Sequence, residues 1–189
     1  MNKFKKLIPG QIRFIAMDVD GVLTDGSIIL GTNGFEAKMF NAQDGLGINI
    51  LVKLGYPVAW VTGRTSDIVE RRARELHIPH LMQGITDKFE AIEELLAKLE
   101  LGWENVMYIG DDLNDWGPFQ RAAFTCTVRN GTSEIKQRAD YITTAVGGSG
   151  AIREIIELFL KHEKRWGEAL ELYSNHFHSN QTTSKGEIQ

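Results

Sequence analysis

The sequence predicts an α/β protein built on a Rossmann-like parallel sheet with helices on both faces. Short apolar runs alternate along the chain with segments of helical periodicity, which is typical of parallel strands joined by helices. Four of the apolar runs are followed by polar residues, and parallel sheets bind ligands at the ends of their strands. A turn-rich insertion after the first run indicates a β-hairpin outside the main sheet.

The apolar runs predict the strands of the main sheet, and the helical periods between them predict its helices. The predicted strands span residues 12–17, 57–61, 79–82, 105–109, 123–128 and 140–142. The predicted helices span residues 45–54, 66–76, 88–99, 115–121, 132–138 and 151–162. Because a helix separates each strand from the next, we expect neighbouring strands to run parallel.

The insertion spans residues 26–40, a segment that we call the flap. Two strand-like runs, 26–30 and 35–40, flank Gly31-Thr32-Asn33-Gly34, whose composition favours a turn with positive φ. The runs are too apolar for a two-stranded hairpin to stand alone in water. We therefore expect the flap to be covered by another surface.

Composition indicates one ordinary globular domain. The chain has 189 residues, of which 42% are hydrophobic and 24% are charged, and this suffices for one well-packed core. We expect a single domain over residues 1–163 and a polar tail over residues 164–189. The single cysteine, Cys126, lies in an apolar run and is expected to be a buried strand thiol.

Charge and hydropathy argue against two classes of partner. The net charge of −4 disfavours binding to nucleic acid, since no face rich in lysine and arginine offsets it. No apolar stretch reaches the roughly 20 residues of a membrane-spanning helix, and the basic start is not followed by the apolar core of a signal peptide. We therefore expect a cytoplasmic protein with neither nucleic acid nor membrane as a partner.

The most informative residues follow the first strand. In Asp18-Val19-Asp20-Gly21, the two aspartates are two positions apart, so their carboxylates emerge on the same side of the strand end. A pair held so closely favours Mg²⁺, with one carboxylate attacking phosphorus and the other moving a proton. An acidic turn needs only one aspartate and one glycine, whereas residues 18–26 hold three aspartates and two glycines.

The second strand ends at Thr62-Gly63-Arg64, which offers a hydroxyl group, an approachable backbone N–H and a guanidinium to an anion. Thr62 is equally compatible with the N-cap of the next helix, and the sequence leaves both interpretations open.

Lys88 stands near the start of a predicted helix, where the macrodipole disfavours a cation unless an anion lies beside it. An ordinary surface lysine remains an equal alternative. The next strand ends at Gly110-Asp111-Asp112-Leu113-Asn114-Asp115, which holds more acidic groups than a helix cap needs and suits a second set of Mg²⁺ ligands.

Together these four motifs resemble the haloacid dehalogenase superfamily of phosphotransferases, in the order and spacing of that family. The resemblance covers residues 12–160 and implies that Asp18 is the nucleophile and Asp20 the acid/base. It also implies that Thr62 and Lys88 bind phosphoryl oxygens.

The same resemblance implies a Mg²⁺ site formed by the side chains of Asp18 and Asp111 and the carbonyl group of Asp20. Asp115 is expected to complete the metal shell, with Asp112 as the open alternative. The substrate-binding residues are expected to be Gly21, Gly63 and Arg64.

Superfamily members that act on small molecules usually carry a cap domain, and the segments between the motifs are too short to hold one. The patterns of residues 26–35, 40–48 and 147–154 closely resemble a family of capless, tetrameric phosphatases that act on 3-deoxy-D-manno-octulosonate 8-phosphate. The resemblance implies hydrolysis of a small sugar-acid phosphate, a homotetramer and a role in lipopolysaccharide biosynthesis. In the families that this chain resembles, the position after Thr-Gly is Arg in octulosonate phosphatases and Glu in the phosphatase of a nine-carbon keto-sugar acid 9-phosphate, so Arg64 implies the eight-carbon substrate. An arginine at this position can pair with the substrate carboxylate.

Two other classes of protein remain as alternatives. A noncatalytic relative that serves as an assembly module has no need of Asp18, Asp20, Thr62, Lys88 and Asp111 together. A Mg²⁺-dependent glycosyltransferase with an Asp-x-Asp site explains the first motif alone.

Overall fold

The computed structural model describes Phe4 and residues 6–179, and within them it confirms the predicted α/β fold. The strands are β1 (Phe14–Met17), β2 (Ile29–Leu30), β3 (Glu36–Ala37), β4 (Val58–Val61), β5 (His80–Met82), β6 (Val106–Ile109), β7 (Phe124–Thr127) and β8 (Tyr141–Ile142). The main sheet has the order β5-β4-β1-β6-β7-β8, and all of its neighbouring strands are parallel.

Along the described residues, the first six helices lie close to their predicted positions, whereas the seventh lies in the segment predicted as a polar tail. They are α1 (Ala42–Lys53), α2 (Asp67–Glu75), α3 (Lys88–Lys98), α4 (Trp116–Arg121), α5 (Ser133–Arg138), α6 (Ala151–His162) and α7 (Trp166–Ser179). Helix α1 begins three residues before the predicted start at residue 45. The reason is a cap: the Asn41 side chain accepts hydrogen bonds from the backbone N–H groups of Gln43 and Asp44 at 2.8 and 3.2 Å.

The core lies on both faces of the sheet, as a doubly wound fold requires. All four residues of β1 are buried; Ile15 and Met17 face one apolar cluster, whereas Phe14 and Ala16 face the other. Alternation of side chains along a strand therefore places β1 at the centre of the fold, with its end beside those of β4 and β6. Cys126 is fully buried, as predicted.

Helix α6 receives its N-terminal cap from another helix. The carboxylate of Asp44, on α1, accepts hydrogen bonds from the backbone N–H groups of Gly150 and Arg153 at 3.1 and 2.7 Å. These groups would otherwise lack partners at the start of α6. The contact ties α1 to the start of α6.

The flap forms the predicted hairpin, but its ladder is short. Strands β2 and β3 pair through two residue pairs, and the turn contains the predicted positive φ values at Asn33 and Gly34, 59° and 76°. Five large apolar side chains of the flap are exposed, namely Ile28, Ile29, Leu30, Phe35 and Met39. The apolar surface that the sequence predicted is therefore open to solvent in the isolated chain.

In the described chain, no cap domain interrupts the fold. Between β1 and β4 lie only the flap and α1, and between β4 and α3 lie only α2 and β5. The predicted polar tail begins with helix α7, where Ala169 is buried and Trp166 and Tyr173 pack against the core. Residues 180–189 lie outside the described residues. None of the helices over residues 6–179 is long and apolar enough to cross a membrane.

Candidate active site

The predicted motifs meet at the carboxyl ends of β1, β4 and β6, because these three strands are adjacent in the sheet. They surround a cavity of about 270 Å³. Its lining residues are Asp18, Asp20, Gly21, Gly26, Thr62, Gly63, Arg64, Asp111, Asp112 and Asn114. Of the predicted site residues, only Lys88 and Asp115 are missing from this lining, and both lie buried behind it.

Lys88 joins two of the aspartates from the buried side. Its Nζ lies 2.8 Å from Oδ2 of Asp18 and 2.8 Å from Oδ1 of Asp115. Burial alone would lower the pKa of Lys88. The nearby carboxylates of Asp115 and Asp18 have the larger combined effect, so the pKa of Lys88 is raised above its ordinary value. Lys88 is therefore a charged residue at the first turn of α3 because two anions lie beside it, and not a surface lysine.

Asp115 is fully buried, and both of its carboxylate oxygens accept hydrogen bonds. Oδ1 accepts from the Tyr108 hydroxyl group at 2.6 Å as well as from Lys88. Oδ2 accepts from the backbone N–H groups of Asp111 and Asp112 at 2.8 and 3.2 Å. Asp115 thus fixes the loop that carries Asp111, while Asp112 is exposed. Tyr108 was missed by sequence reasoning, since an aromatic residue in β6 has the pattern of an ordinary core residue.

Three carboxylates, those of Asp18, Asp111 and Asp115, have oxygen atoms that lie within 4.8 Å of one another. Burial, then the charge of Asp115, raises the pKa of Asp18 to about 7. Burial, then the charges of Asp115 and Asp18, raises the pKa of Asp111 to about 8. Oδ1 of Asp111 is buried and has no hydrogen-bond partner among the described residues. An unsatisfied carboxylate oxygen among like charges fits a hard divalent cation, which prefers oxygen ligands and would remove the repulsion.

Glycine is required at position 21 for space as well as conformation. Its φ is 91°, and an added Cβ atom would lie 2.1 Å from Oδ2 of Asp111. At Gly147 an added Cβ atom would lie 1.8 Å from the carbonyl oxygen of Gly21. The loop after β8 therefore packs against the loop that carries Asp20, and the absence of a side chain at Gly21 makes room for Asp111.

Asp20 lies at the opening of the cavity and contacts the flap. One oxygen, Oδ1, forms an ion pair with Lys38, which also lies 3.8 Å from Oε1 of Glu36. The other oxygen, Oδ2, lies 3.5 Å from the Thr62 hydroxyl group. Oε2 of Glu36 accepts a hydrogen bond from Ser66 at 2.9 Å. Sequence reasoning missed Lys38 and Glu36, because only the folding of the flap brings Lys38 to Asp20 and Glu36 to Ser66.

The loop after β4 presents polar groups to the cavity, and its first residue, Thr62, caps no helix. Thr62 is buried, and its hydroxyl oxygen accepts a hydrogen bond from the Arg64 N–H group at 3.2 Å. Helix α2 begins later, at Asp67, so Thr62 is not its N-cap. Gly63 and Arg64 are exposed at the cavity wall. Arg64 therefore offers a guanidinium group to a ligand in the cavity.

Comparison with known proteins gives the family. Residues 72–156 match the haloacid dehalogenase-like hydrolases. The 3-deoxy-D-manno-octulosonate 8-phosphate phosphatase of Escherichia coli K12 is 43% identical over 159 residues, which cover 84% of this chain and 85% of that protein. The chain belongs to this phosphatase family. It is accordingly a hydrolase of phosphoric monoesters, which confirms the enzyme class predicted from the four motifs.

Solved structures of the family agree with the fold. The Moraxella catarrhalis phosphatase, in complex with a magnesium ion, a phosphate ion and a KDO molecule, is 42% identical with a TM-score of 0.86, over 91% of this chain and 98% of that chain. The cobalt-bound form of the family member from Haemophilus influenzae is 34% identical with a TM-score of 0.78, over 82% of this chain and 90% of that chain. Both solved structures thus share the overall fold of this chain.

Proposed function

We propose that this protein is a Mg²⁺-dependent phosphatase that hydrolyses 3-deoxy-D-manno-octulosonate 8-phosphate to the free sugar acid and phosphate. One observation carries the proposal. Asp18 is held by a buried lysine beside the unpartnered oxygen of Asp111, in a cavity that Arg64 also lines. The relatives that act on this substrate, by their names, match the chain over most of its length.

Asp18 is the proposed nucleophile. Lys88 holds its Oδ2 and the Val19 N–H group donates to its Oδ1 at 2.6 Å, so the carboxylate has one orientation at the cavity. In the first step a bond forms between a carboxylate oxygen of Asp18 and phosphorus, while the bond from phosphorus to the ester oxygen breaks. Asp20 gives its proton to the leaving oxygen, so the sugar departs as an alcohol.

The second step returns the protein to its starting state. Asp20, now ionised, takes a proton from a water molecule whose oxygen attacks phosphorus, and the bond between phosphorus and Asp18 breaks to release phosphate. The same carboxylate therefore acts first as an acid and then as a base. The Thr62 hydroxyl group and the Gly63 backbone are the proposed contacts of the phosphoryl oxygens. The ammonium group of Lys88 supplies positive charge from behind Asp18.

Mg²⁺ has a proposed place among these groups. The side chains of Asp18 and Asp111 and the carbonyl group of Asp20 would hold it, with Asp115 fixing the loop of Asp111. When bound, the ion neutralises negative charge on the phosphoryl oxygens and on the carboxylates around them. We propose that Arg64, with the backbone of Gly21 nearby, binds the nonreacting end of the substrate, where a guanidinium group suits a carboxylate.

A phosphate-release assay tests the substrate and the metal together. We expect the eight-carbon 8-phosphate to be hydrolysed with Mg²⁺, and activity to vanish with EDTA and return when Mg²⁺ is added. A higher kcat/KM for a nine-carbon keto-sugar acid 9-phosphate would show that this ester, and not the eight-carbon one, is the preferred substrate. No hydrolysis of either ester by metal-replete protein would leave the chain as a noncatalytic assembly module.

We also propose that the protein acts as a homo-oligomer, with a tetramer suggested by the family resemblance. Support comes from the flap, whose exposed side chains include Ile28, Leu30 and Phe35. A second copy of the chain would cover this surface and close the cavity, which has no cap domain of its own. The buried unpaired thiol of Cys126 suits the reducing cytoplasm, the proposed location, and the proposed pathway is lipopolysaccharide biosynthesis.

Removing the flap turn tests the oligomer. Deletion of residues 31–34 should lower both the stability of the oligomer and the turnover of the sugar phosphate, because the two share one surface. Sedimentation together with the phosphate assay measures both. A monomer with full activity would show that the flap covers only its own subunit. We further propose that residues 1–163 form the phosphatase domain and that 164–189 extend from it.

A further inference from the structure

The flap brings a buried cation to the proposed acid/base. Lys38 follows strand β3, and its side chain is 2% exposed although most of the flap is open to solvent. Its ammonium group pairs with Oδ1 of Asp20 and has Glu36 as a second acidic neighbour. A lysine is rarely so buried without a specific partner. The burial of Lys38 therefore indicates a defined contact with Asp20.

Lys38 holds Asp20 from the side that faces away from the cavity. Asp20 lines the cavity with 19% of its side chain exposed, whereas Lys38 lies outside the set of lining residues. With Oδ1 committed to Lys38, the remaining oxygen, Oδ2, lies near Thr62 at the cavity. Fixing one oxygen limits the rotation of the carboxylate, and proton transfer depends strongly on such orientation.

A separate contact already fastens the flap to the core. Glu36 accepts a hydrogen bond from Ser66, at the start of α2, so the flap is anchored without Lys38. An anchor alone does not explain why the lysine meets the acid/base carboxylate. The two contacts therefore have distinguishable consequences when one of them is removed.

We propose that Lys38 is a positioning residue that orients Asp20 for proton transfer, and that the flap thereby governs the steps that need Asp20 but not the attack by Asp18. This inference rests on the proposed function. It makes the flap a part of the catalytic apparatus of its own subunit, in addition to any role in covering the cavity.

The substrate p-nitrophenyl phosphate separates the two kinds of step. Its leaving group needs no proton, so the rate of the first turnover, in which Asp18 becomes phosphorylated, reports the attack by Asp18 alone. The second step, hydrolysis of the phosphorylated Asp18, still requires Asp20 to activate water. Rapid-quench kinetics gives the rates of both steps. The mass of the acid-quenched protein gives the fraction that carries a phosphoryl group.

The variants are Lys38→Met, which removes the charge at similar volume, and Lys38→Arg, which keeps it. In Lys38→Met we expect the first turnover to change less than about threefold and the second step to slow by about tenfold or more, so that phosphorylated protein accumulates. Lys38→Arg should restore much of the second step. Lys98→Met, which removes an exposed lysine from α3, should behave like the wild type.

Equal slowing of both steps in Lys38→Met, or no accumulation of phosphorylated protein, would overturn the proposal. Circular dichroism checks the fold of each variant. If Lys38→Met does not fold, Lys38→Gln carries the same test, and failure of both variants to fold would make Lys38 a structural residue. A wild-type protein that hydrolyses neither p-nitrophenyl phosphate nor 3-deoxy-D-manno-octulosonate 8-phosphate in the presence of Mg²⁺ would overturn the proposed function itself, which separates the two failures.

Discussion

Two lysines hold the two carboxylates of the proposed reaction, and they belong to different regions of the molecule. Lys88 reaches Asp18 from helix α3, whose apolar face packs into the core, whereas Lys38 reaches Asp20 from the flap. The acidic partners of Lys88 are 5% and 0% exposed, and those of Lys38 are 19% and 23% exposed.

The difference separates two requirements of the reaction. A nucleophile must stay in one position through both steps, and Asp18 is held in place by Lys88, a buried residue of the core. An acid that becomes a base must exchange protons with the leaving group and with water, and a partly hydrated site at the edge of the flap permits that exchange.

The largest effect should come from Asp18→Asn. This change removes the attacking oxygen and keeps the volume, so turnover should fall by about 10⁴-fold or more while the fold persists. Asp20→Asn should cost about 10²- to 10⁴-fold, because it removes proton transfer only. Steady-state rates with Mg²⁺ measure both variants. Near wild-type activity in pure Asp18→Asn protein would contradict the assignment of the nucleophile.

Lys88→Met should be the most destabilising of the lysine variants. It leaves Asp18 and Asp115 buried with no cation, a change that typically costs about 3 to 5 kcal/mol. Lys38→Met should cost only about 1 kcal/mol, because water reaches the carboxylates that remain. Denaturant unfolding at pH 8 measures the difference. Equal losses of unfolding free energy in the two variants would show that the ion pairs of Lys88 in the core and of Lys38 in the flap contribute equally to stability.

Arg64→Ala should change selectivity and leave phosphoryl transfer intact. Loss of a charge-assisted contact of about 1.5 to 3 kcal/mol should lower kcat/KM for the sugar-acid phosphate by roughly 10- to 100-fold. Turnover of p-nitrophenyl phosphate should change little, since that ester has no carboxylate to bind. Similar losses of kcat/KM with both substrates would show that Arg64 contacts the phosphoryl group and not the leaving group.

A smaller effect concerns pH and the metal. The pKa values of Asp18 and Asp111, about 7 and 8, lie above their ordinary value of 3.8, so the folded metal-free protein binds protons more tightly than the unfolded chain. The contribution of these two carboxyl groups to stability should be fully present below about pH 4 and be lost as the pH rises through 7 to 8. Melting in EDTA should therefore be a few degrees lower at pH 8 than at pH 5.5.

Addition of Mg²⁺ should restore the melting temperature more at pH 8 than at pH 5.5, because the cation competes with protons for the same carboxylates. Asp111→Asn serves as the matched variant, and it should weaken both the pH dependence and the effect of Mg²⁺. A Mg²⁺ effect of the same size in that variant would place the ion elsewhere.

The part of the site carried by strand ends was predictable from the sequence. Asp18, Thr62 and Asp111 each follow an apolar run, and parallel topology alone requires the ends of adjacent strands to meet. The placement of Lys88 was only half predictable: a cation at the first turn of a helix favours an anion nearby, but an ordinary surface lysine fitted the sequence equally well.

The remainder depends on contacts between distant segments that no local pattern records. Lys38 meets Asp20 only because the flap folds back over the strand end, and the short ladder of β2 and β3 gives no sequence period that would fix this position. Tyr108 has the burial pattern of a core strand, so its hydroxyl bond to Asp115 left no signal. Asp44 caps helix α6 across more than a hundred residues.

Mapping the phosphorylated residue tests most directly the claim that the core-held carboxylate attacks phosphorus while the flap-held one moves protons. The Asp20→Asn variant is mixed with p-nitrophenyl phosphate and Mg²⁺, quenched in acid and digested, and the modified peptide is located by mass spectrometry. The phosphoryl group should accumulate on Asp18, and the double variant with Asp18→Asn should carry none. A phosphoryl group on any other residue, or one that persists in the double variant, would contradict the account.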